Sequence, residues 1–295
     1  MKSNSLNVVK GENDLLYVTF PNLDDGKCIS AVTTRMGGVS RGKYASMNMS
    51  FSNGDDEKAV RENYNILFSA LGVEPEKAVF SQQTHTCNLR VVKKEDLGKG
   101  IVKERDYTDV DGLITNLKGV TLVTHFADCV PLLFYDPKRE VIAASHAGWR
   151  GTVQEIGKKT VEAMASLFGS IAADIKVGIG PSICQKCYEV DDTVLNEFKK
   201  IDYIKTEDIF KSKENGKYML DLWAANRLIL ENTGIKNENI CVTDLCTNCE
   251  SNYFHSHRAT GGNRGLIAAV IALKDKYRSI KNESSYWKRP HRCGT

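Results

Sequence analysis

Two histidines and one cysteine are the residues whose types and surroundings point most directly to chemistry. His85 ends a Gln-Thr-His segment, Cys129 follows Ala-Asp, and His146 opens the string HAGWRG, so the three lie well apart along the chain. Their separations are not those of a zinc finger, but they suit a catalytic zinc with three ligands from separate strand ends and an open fourth position. One sulfur and two imidazoles suit Zn²⁺ and would also bind copper. The spacing alone is a weak indication, because a single histidine in such a place is more often an ordinary polar residue.

The segment around Cys129 and His146 has the pattern of three strands with polar residues at their ends. Three runs rich in β-branched and aromatic residues predict these strands, and they cover Val120–Thr124, Val130–Tyr135 and Glu140–Ser145. An Asp-Pro turn at residues 136–139 joins the last two runs. After His146, Thr152 and Glu155 have the spacing of a capping box, which predicts a helix over Thr152–Phe168. The thiol and the imidazole are thus expected at the rim of a sheet, beside a helix N-terminus.

Strands and helices are spread over the whole chain, with no internal repeat and no linker, which favours one α/β domain over residues 1–280. Further helices are predicted at Asp55–Leu71, Asp192–Ile201 and Asp221–Glu231. Gly265–Leu273 is apolar throughout, so periodicity does not separate a strand from a buried helix. Thr206–Lys217 is polar and predicts a loop. Residues 281–295 show no periodicity and are interpreted as a C-terminal extension or a cloning remnant.

The composition restricts the classes of partner. With 40 basic and 37 acidic residues, the net charge of +3 gives no reason to expect nucleic acid or an acidic membrane as a partner. No apolar run approaches the roughly 20 residues of a membrane helix, and the N-terminus lacks the apolar region of a secretory signal. Nine cysteines without a signal peptide predict reduced thiols in the cytoplasm. Nothing in the sequence indicates the oligomeric state.

Several strings together resemble one family. ADCVPLL (127–133) and HAGWRGT (146–152) are similar to the YfiH/YlmD family, long labelled multicopper polyphenol oxidase (laccase domain) and now regarded as zinc-dependent purine nucleoside enzymes. Further similar strings follow in order over residues 28–273: TTRMGGVS (33–40), YASMN (44–48), QTH (83–85), DGLIT (111–115), GIGPSI (178–183), CYEV (187–190) and DLWAANRLIL (221–230). The resemblance implies an α/β (α+β) fold with central mixed sheets flanked by helices, related to the catalytic domain of cytotoxic necrotizing factor. It also implies that His85, Cys129 and His146 are the metal ligands.

The activity implied by the resemblance is phosphorolysis of adenosine and inosine to ribose 1-phosphate and free base, with adenosine deamination and cleavage of methylthioadenosine. Zinc would serve by lowering the pKa of a bound water from about 15.7 to about 7. Deamination also needs a carboxylate that moves protons. Asp111 and Asp128 are the candidates, although either aspartate could equally cap a turn.

Phosphorolysis further requires donors for phosphate and a pocket for the nucleoside, of about 300 Å³ or more. The candidate substrate- and phosphate-binding residues are Arg35, Asn48, Gln83, Arg150 and Arg258, together with the helix N-terminus expected at Thr152. Arg35 is favoured for phosphate, because the adjacent Gly37 and Gly38 would let backbone N–H groups approach the same anion.

Two other reactions remain open. Cys129 and His146 could be the nucleophile and base of a cysteine hydrolase or deamidase. A copper-dependent polyphenol oxidase is the second alternative, with copper in place of zinc. A four-copper centre needs several His-x-His pairs, however, and the chain has six histidines with one such pair, His255-Ser-His257.

A second metal site is a further possibility. Cys184-x-x-Cys187 and Cys246-x-x-Cys249 are two pairs of the kind that build Cys₄ structural zinc sites. The segment between the pairs, residues 188–245, is much longer than the corresponding segment of a zinc ribbon. Small buried thiols are therefore the expected interpretation of these four residues.

Overall fold

The computed structural model describes residues 1–275; the interpretation of residues 281–295 as an extension falls outside that range. The strands are β1 Asn7–Lys10, β2 Leu16–Thr19, β3 Cys28–Thr33, β4 Ala78–Phe80, β5 Leu89–Val91, β6 Gly112–Thr115, β7 Thr121–Phe126, β8 Val130–Asp136, β9 Val141–Ala147, β10 Lys176–Ile179, β11 Glu189–Val190, β12 Phe210–Ser212, β13 Tyr218–Leu220, β14 Ile240–Val242 and β15 Ile267–Leu273. The helices are α1 Glu57–Leu71, α2 Trp149–Val153, α3 Ile156–Phe168, α4 Asp192–Phe198, α5 Thr206–Ile209, α6 Leu222–Asn232 and α7 His257–Thr260. Of the helices in residues 1–275, none has the length and apolarity needed to span a lipid bilayer.

Two mixed sheets of six strands form the centre of the molecule. The first has the order β1-β2-β3-β15-β7-β4, and the second has the order β14-β10-β8-β9-β6-β5. In both sheets the pairs are antiparallel except at an edge: β4 is parallel to β7, while β14 and β5 are parallel to β10 and β6. A small antiparallel sheet, β11-β13-β12, lies apart from these two. The α/β fold with central mixed sheets and flanking helices is confirmed.

The two large sheets pack face to face, with helices covering their outer faces. Apolar residues of both sheets form one shared core, including Leu122 and Ile271 from the first sheet and Leu133 from the second. Helix α1 packs on the outer face of the first sheet, whereas α3 and α6 pack on the outer face of the second. The result is four layers, helix, sheet, sheet and helices.

This layering explains why strand β15 is apolar at every position. Along it, Ile267, Ala269 and Ile271 belong to the core between the sheets, whereas Ala268 and Val270 face helix α1. Because both faces of β15 are buried, its sequence lacks the alternation of polar and apolar residues that a half-exposed strand has. The alternative of a buried helix over Gly265–Leu273 is therefore wrong, and the strand is correct.

Two local predictions are also wrong. Glu155 has a left-handed backbone (φ 56°) and separates α2 from α3, so one helix does not run through Thr152–Phe168. Thr152 lies inside α2, where its hydroxyl donates to the Gly148 carbonyl at 3.0 Å instead of capping a helix. In Thr206–Lys217, expected to be a loop, α5 and β12 bury Ile209 and Phe210 in the core beneath the second sheet. Two apolar residues in a polar stretch were enough to anchor it.

Candidate metal centre

His85, Cys129 and His146 meet at one place in the fold. One donor atom from each residue lies within 4.8 Å of the donors of the other two. Ligands held at about 2.0–2.3 Å by a single zinc ion lie about 3.3–3.8 Å apart, so only small side-chain shifts would be needed to bind one. His146 is buried, Cys129 is half-buried and His85 is exposed. The cluster is thus open to solvent on the His85 side.

Cys129 lies where the chain passes from the first sheet to the second. Strand β7 ends the first sheet's contribution at Phe126, and β8 begins in the second sheet at Val130. Asp128 makes the turn with a φ of 82°, a left-handed conformation that Asp adopts more readily than most residues. Its buried carboxylate accepts a hydrogen bond from the Thr247 hydroxyl (2.7 Å) and another from the Arg258 N–H (2.7 Å).

Asp111 holds both histidines. It precedes β6, whose antiparallel register with β9 sets Gly112 opposite Ser145 and so brings Asp111 beside His146. The fully buried carboxylate accepts the His146 Nδ1 hydrogen bond at 2.8 Å. It also accepts the backbone N–H groups of Thr84, His85 and Thr86 at 2.9–3.1 Å. A carboxylate that binds Nδ1 of a histidine leaves Nε2 free for a metal.

These contacts also explain the backbone and charge at the cluster. His85 has a φ of 67°, an uncommon conformation that the three N–H groups pointing to Asp111 stabilise. Burial acts to raise the pKa of Asp111, but the hydrogen bonds from His146 and the Thr84 N–H hold that pKa at about 2. Asp111 is therefore a carboxylate, not a carboxylic acid, at neutral pH, beside the His146 imidazole and the His85 backbone.

The thiol and the buried imidazole shift one another's protonation. Burial acts to raise the pKa of Cys129, but the positive charge and hydrogen bond of His146, with a hydrogen bond from His85, lower it to about 6. Burial acts to lower the pKa of His146, but the Cys129 thiolate and the hydrogen bond to Asp111 raise it to about 9. Cys129 is thus held as the thiolate, which is the form of cysteine that binds metal.

Gly148, the N-cap of α2, leaves free the space beside these three side chains that a larger residue would fill. A Cβ on Gly148 would lie 2.9 Å from Cys129 Sγ, 3.3 Å from His85 Cδ2 and 3.8 Å from His146 Cε1. The backbone at Gly148 (φ −66°, ψ 172°) is one that any residue adopts. The absence of a side chain therefore matters here for space, and not for backbone freedom.

Gly148→Ala is expected to weaken zinc binding by about tenfold or more, within the range seen when groups around metal ligands are altered, because the methyl group displaces Cys129 Sγ. Competition with a chromophoric zinc chelator measures the affinity. Thermal unfolding of the metal-free protein should be nearly unchanged. Gly11→Ala is the matched control, since the atoms nearest to its Cβ would be those of the Leu15 side chain, at 3.1–3.4 Å. Equal zinc affinity in the Gly148 variant and the wild type would contradict this interpretation of the cluster.

The structure places Asn48 and Gln83 in loop contacts within the protein. Asn48 is fully buried; its amide donates to Asp55 Oδ2 and accepts from the Leu266 N–H, both at 2.9 Å. The Gln83 amide pairs with the backbone of His125, donating to its carbonyl (2.7 Å) and accepting from its N–H (2.8 Å). Asn48 joins its loop to the start of β15, and Gln83 extends the pairing of β4 with β7 toward His85.

Two of the three candidate arginines are tied to backbone carbonyls. Arg35 donates from Nε to Ala45 (2.8 Å) and from Nη1 to Ser251 (3.1 Å), and burial lowers its pKa. Arg258 donates to the Cys187 and Glu189 carbonyls at 3.2 and 3.1 Å. Arg150 instead is exposed, with its guanidinium 4.3 Å above the Trp149 ring.

Two further residues near Cys129 were not singled out from the sequence. Burial raises the pKa of Tyr188 and the negative charge of Cys129 raises it further, against the opposing charges of Arg258 and Arg150. Burial lowers the pKa of Arg264, and the negative charges of Asp128 and Cys129 oppose that change. Within residues 1–275, Nε of Arg264 is buried without a hydrogen-bond partner. In the sequence, Tyr188 could have been found as the tyrosine of CYEV, and Arg264 as the arginine that ends the Gly-Gly-Asn-Arg run at residues 261–264.

Two surface grooves, of about 590 and 330 Å³, both border the segment of residues 88–95. Neither of them includes His85, Cys129 or His146 in its lining. The nucleoside pocket predicted beside the metal ligands is therefore neither of these grooves, and it stays a prediction.

In residues 1–275, His85 and His146 are the two histidines that join a cluster able to hold a metal. His255 is buried elsewhere, where a Cβ on Gly265 would lie 2.6 Å from its Nε2, and His257 is exposed. The His-x-His pair does not meet the other histidines in a cluster. A histidine-rich centre for several copper ions is thus not assembled by the described part of the chain.

Known proteins share this sequence and this fold. A family model described as multi-copper polyphenol oxidoreductase laccase matches residues 29–274. The chain is 36% identical over 258 residues to purine nucleoside phosphorylase YlmD of Bacillus subtilis (strain 168), covering 86% of this chain and 91% of that protein. It is also 36% identical over 262 residues to adenosine deaminase RL5 of an unknown prokaryotic organism, covering 87% and 100% of the two chains.

Solved structures agree with these matches. Bacillus licheniformis YfiH, described as a hypothetical protein, superposes with a TM-score of 0.84 at 33% identity, over 90% of this chain and 99% of that one. YlmD from Geobacillus stearothermophilus superposes with a TM-score of 0.83 at 35% identity, over 91% and 99% of the two chains. Because the family model and these relatives cover most of the chain, the protein belongs to the multi-copper polyphenol oxidoreductase laccase family, that of the YfiH and YlmD proteins.

Proposed function

We propose that this protein is a zinc-dependent purine nucleoside enzyme of the cytoplasm. It would cleave adenosine, inosine and methylthioadenosine with phosphate, releasing the base and a ribose 1-phosphate, and would also deaminate adenosine. The observation that carries this proposal is the meeting of His85, Cys129 and His146 above one buried carboxylate. That arrangement stands in a chain similar to proteins named purine nucleoside phosphorylase and adenosine deaminase.

The three residues fit zinc well. One thiolate and two imidazoles are donors that zinc prefers, and three protein ligands leave a fourth position for a substrate. Gly148 supports this fit, because a Cβ there would occupy space beside all three donors. When bound, zinc supplies Lewis-acid polarisation of an oxygen atom placed at its open position. Copper suits the same donors and remains the alternative occupant.

Asp111 is proposed as a positioning residue. Its two oxygens already accept five hydrogen bonds, from the backbone of residues 84–86, the Thr86 hydroxyl and His146 Nδ1. A buried carboxylate with a low pKa and no free lone pair is poorly suited to proton transfer. It fixes the proton of His146 on Nδ1 and directs Nε2 toward the other ligands.

Proton donation to the substrate is assigned to the groups that remain near Cys129. The Tyr188 hydroxyl stays protonated because burial and the Cys129 charge raise its pKa, so we assign it as a hydrogen-bond donor to the purine. Asp128 is retained as the carboxylate candidate, although its two oxygens hold Thr247 and Arg258. Asn48 and Gln83 are proposed to act indirectly, because their side-chain hydrogen bonds hold the surrounding loops in place.

Phosphate binding is assigned first to Arg264, and after it to Arg150 and Arg258. Arg264 is near the negative charge of Cys129, and its buried Nε has no partner in the described part of the chain. An unpaired buried guanidinium nitrogen is costly unless a ligand satisfies it, and phosphate is a suitable acceptor. Two nitrogens of Arg35 bind carbonyls, and two of Arg264 contact the Gly265 carbonyl and His257, so the unpaired buried Nε is what distinguishes Arg264 from Arg35.

The direct test is product analysis with metal-replete protein. Adenosine is incubated with and without phosphate, and bases and sugar phosphates are separated by chromatography. Adenine and ribose 1-phosphate should form only with phosphate, whereas inosine should form in either condition. If neither adenine nor inosine forms, the proposed activity is wrong.

Arg264→Gln is expected to raise the apparent KM for phosphate about 10- to 100-fold, the effect of losing a charged hydrogen bond of about 1.5–3 kcal/mol. Deamination should change much less, because it uses no phosphate. Arg227→Gln is the matched control, since Arg227 pairs with Glu231 on the surface of α6. Equal losses of phosphorolysis and deamination would show that Arg264 holds the nucleoside or the fold.

A cysteine hydrolase is the second candidate function. The hydrogen bond between Cys129 and His146, with Asp111 on the far nitrogen of the imidazole, is the order of groups found in nucleophilic cysteine enzymes. A thiolate bound to zinc is a poorer nucleophile than a free one. Dependence of activity on metal therefore separates the two functions.

A further inference from the structure

A second cluster of metal-binding groups lies outside the site described above. The sulfur atoms of Cys184, Cys187, Cys246 and Cys249 all lie within 4.8 Å of one another. All four are free thiols in this structure. Small buried thiols were expected here; of the four, Cys246 is buried, and the fold brings the two Cys-x-x-Cys pairs together.

The sheet explains how pairs so distant in sequence meet. Strands β10 and β14 are parallel neighbours, so the segments that follow them leave the second sheet at the same end. Cys184 and Cys187 lie in the segment after β10, and Cys246 and Cys249 lie in the segment after β14. The two segments stay paired beyond the strands, since the Thr247 N–H donates to the Ser182 carbonyl at 3.1 Å.

The sulfur positions suit one tetrahedral ion. Four sulfurs at about 2.3 Å from a zinc ion are about 3.8 Å apart, whereas a disulfide brings two sulfurs to about 2.05 Å. Cys187 Sγ and Cys249 Sγ are 3.4 Å apart. The backbone N–H groups of Cys184 and Cys249 both point to Cys246 Sγ, at 3.3 and 3.4 Å. Two amide donors on one sulfur hold it in a fixed orientation, as groups around metal ligands commonly do.

We propose that Cys184, Cys187, Cys246 and Cys249 bind a structural Zn²⁺ ion. Four thiolates in a tetrahedral arrangement select zinc or iron. Because all four ligands come from the protein, no position on the ion is left for a substrate, and its role is structural. The site is independent of His85, Cys129 and His146. It does not rest on the proposed enzymatic function.

The ion would fasten the loops that form one wall of the candidate active site. Tyr188 follows Cys187 directly, and the Cys187 carbonyl accepts a hydrogen bond from Arg258. On the other loop, the Thr247 hydroxyl follows Cys246 and holds the Asp128 carboxylate beside Cys129. Closing so long a segment between the pairs costs conformational entropy, which the four metal–thiolate bonds would offset. The structural ion thus sets the positions of Tyr188, Arg258 and Asp128.

The test measures zinc per chain by mass spectrometry of the metal, in protein purified under reducing conditions without chelators. Cys249→Ser removes the exposed ligand and is expected to lower the zinc content by one equivalent relative to the wild type. Cys241→Ser is the matched control, because Cys241 lies in β14 and outside the cluster. It should keep the zinc content of the wild type. Unchanged zinc content in the Cys249 variant would overturn the proposal.

X-ray absorption gives a second measurement that does not depend on the folding of the Cys249 variant. In Cys129→Ser, which removes a ligand from the other cluster, the remaining zinc should show four sulfur neighbours at about 2.3 Å and no imidazole. Nitrogen or oxygen neighbours there, or intact-mass evidence that two of the four thiols form a disulfide, would overturn it. A wild type with a single, all-sulfur zinc would support this site while contradicting the metal of the proposed function.

Discussion

Complete removal of metal from the wild-type protein is expected to slow the proposed purine nucleoside phosphorolysis and adenosine deamination strongly, and Zn²⁺ is expected to restore both. Lewis-acid stabilisation by a metal is worth several kcal/mol, so the rate should fall about 100- to 1000-fold. The reason lies in the cluster itself, where the Cys129 thiolate and two imidazoles converge above the buried Asp111 with donors that suit a metal. Rates are measured on chelated and reconstituted protein with adenosine and phosphate.

The controls identify which metal is responsible. Circular dichroism of the chelated protein shows whether it is still folded, since a chelator would also remove zinc from the Cys₄ cluster. Cys129→Ser should bind zinc weakly at the cluster of His85, residue 129 and His146, and it should recover little activity when zinc is added. The activity of Cys249→Ser, if this variant is folded, should still depend on metal at the cluster of His85, Cys129 and His146. Full wild-type activity without metal would discard the zinc mechanism and favour Cys129 as a nucleophile.

Asp111→Asn is expected to lower zinc affinity about 10- to 100-fold, as is typical when the carboxylate behind a metal-binding histidine is lost. One oxygen of Asp111 accepts N–H groups from His85 and His146, and the other accepts those of Thr84 and Thr86. Whichever way an asparagine amide turns, its NH₂ group faces two N–H donors. Both histidines should shift, and the metal-free protein should lose about 1.5–3 kcal/mol in free energy of unfolding. Chelator competition and urea unfolding measure the two effects.

Asp109→Asn is the matched control for this substitution. Asp109 lies in the same loop and binds the Thr84 hydroxyl and the Asn88 amide, whereas Asp111 binds the two candidate metal-binding histidines. It also has a positive φ (59°), which asparagine tolerates. We expect little change in zinc affinity for this variant. If Asp109→Asn and Asp111→Asn lowered the zinc affinity equally, the loss would come from the charge of the loop and not from the orientation of the histidines.

Sequence reasoning reached the elements and the candidate ligands for a physical reason. Strands β7, β8 and β9 were predicted from short runs of β-branched and aromatic residues, because these strands are buried on the faces that such residues fill. Asp56 and Gly72 mark the ends of α1 as a side-chain cap and a left-handed glycine, and local signals of this kind need no knowledge of the rest of the fold. His85, Cys129 and His146 were chosen through strings that resemble the YfiH/YlmD family, since their spacing alone was too weak.

Local sequence did not reveal the break at Glu155, where a capping-box pattern was present but the backbone turned left-handed inside the predicted helix. Thr152 could not cap that helix because its hydroxyl binds Gly148 and Asn226 instead. Packing of α2 between β9 and α6 decided this point. Capping motifs state a preference worth about 1 kcal/mol, which tertiary contacts readily exceed.

The amino-acid sequence was therefore sufficient for the three central strands β7, β8 and β9, the longer helices, the family and the three candidate ligands. Which distant residues meet depends on the tertiary fold. Asp111 lies beside His146 because of the register between β6 and β9, and the two Cys-x-x-Cys pairs meet because β10 and β14 are parallel neighbours. Strand pairing and register arise from contacts between segments far apart in the chain. The long linear separation of Cys187 from Cys246 carries no record of that proximity.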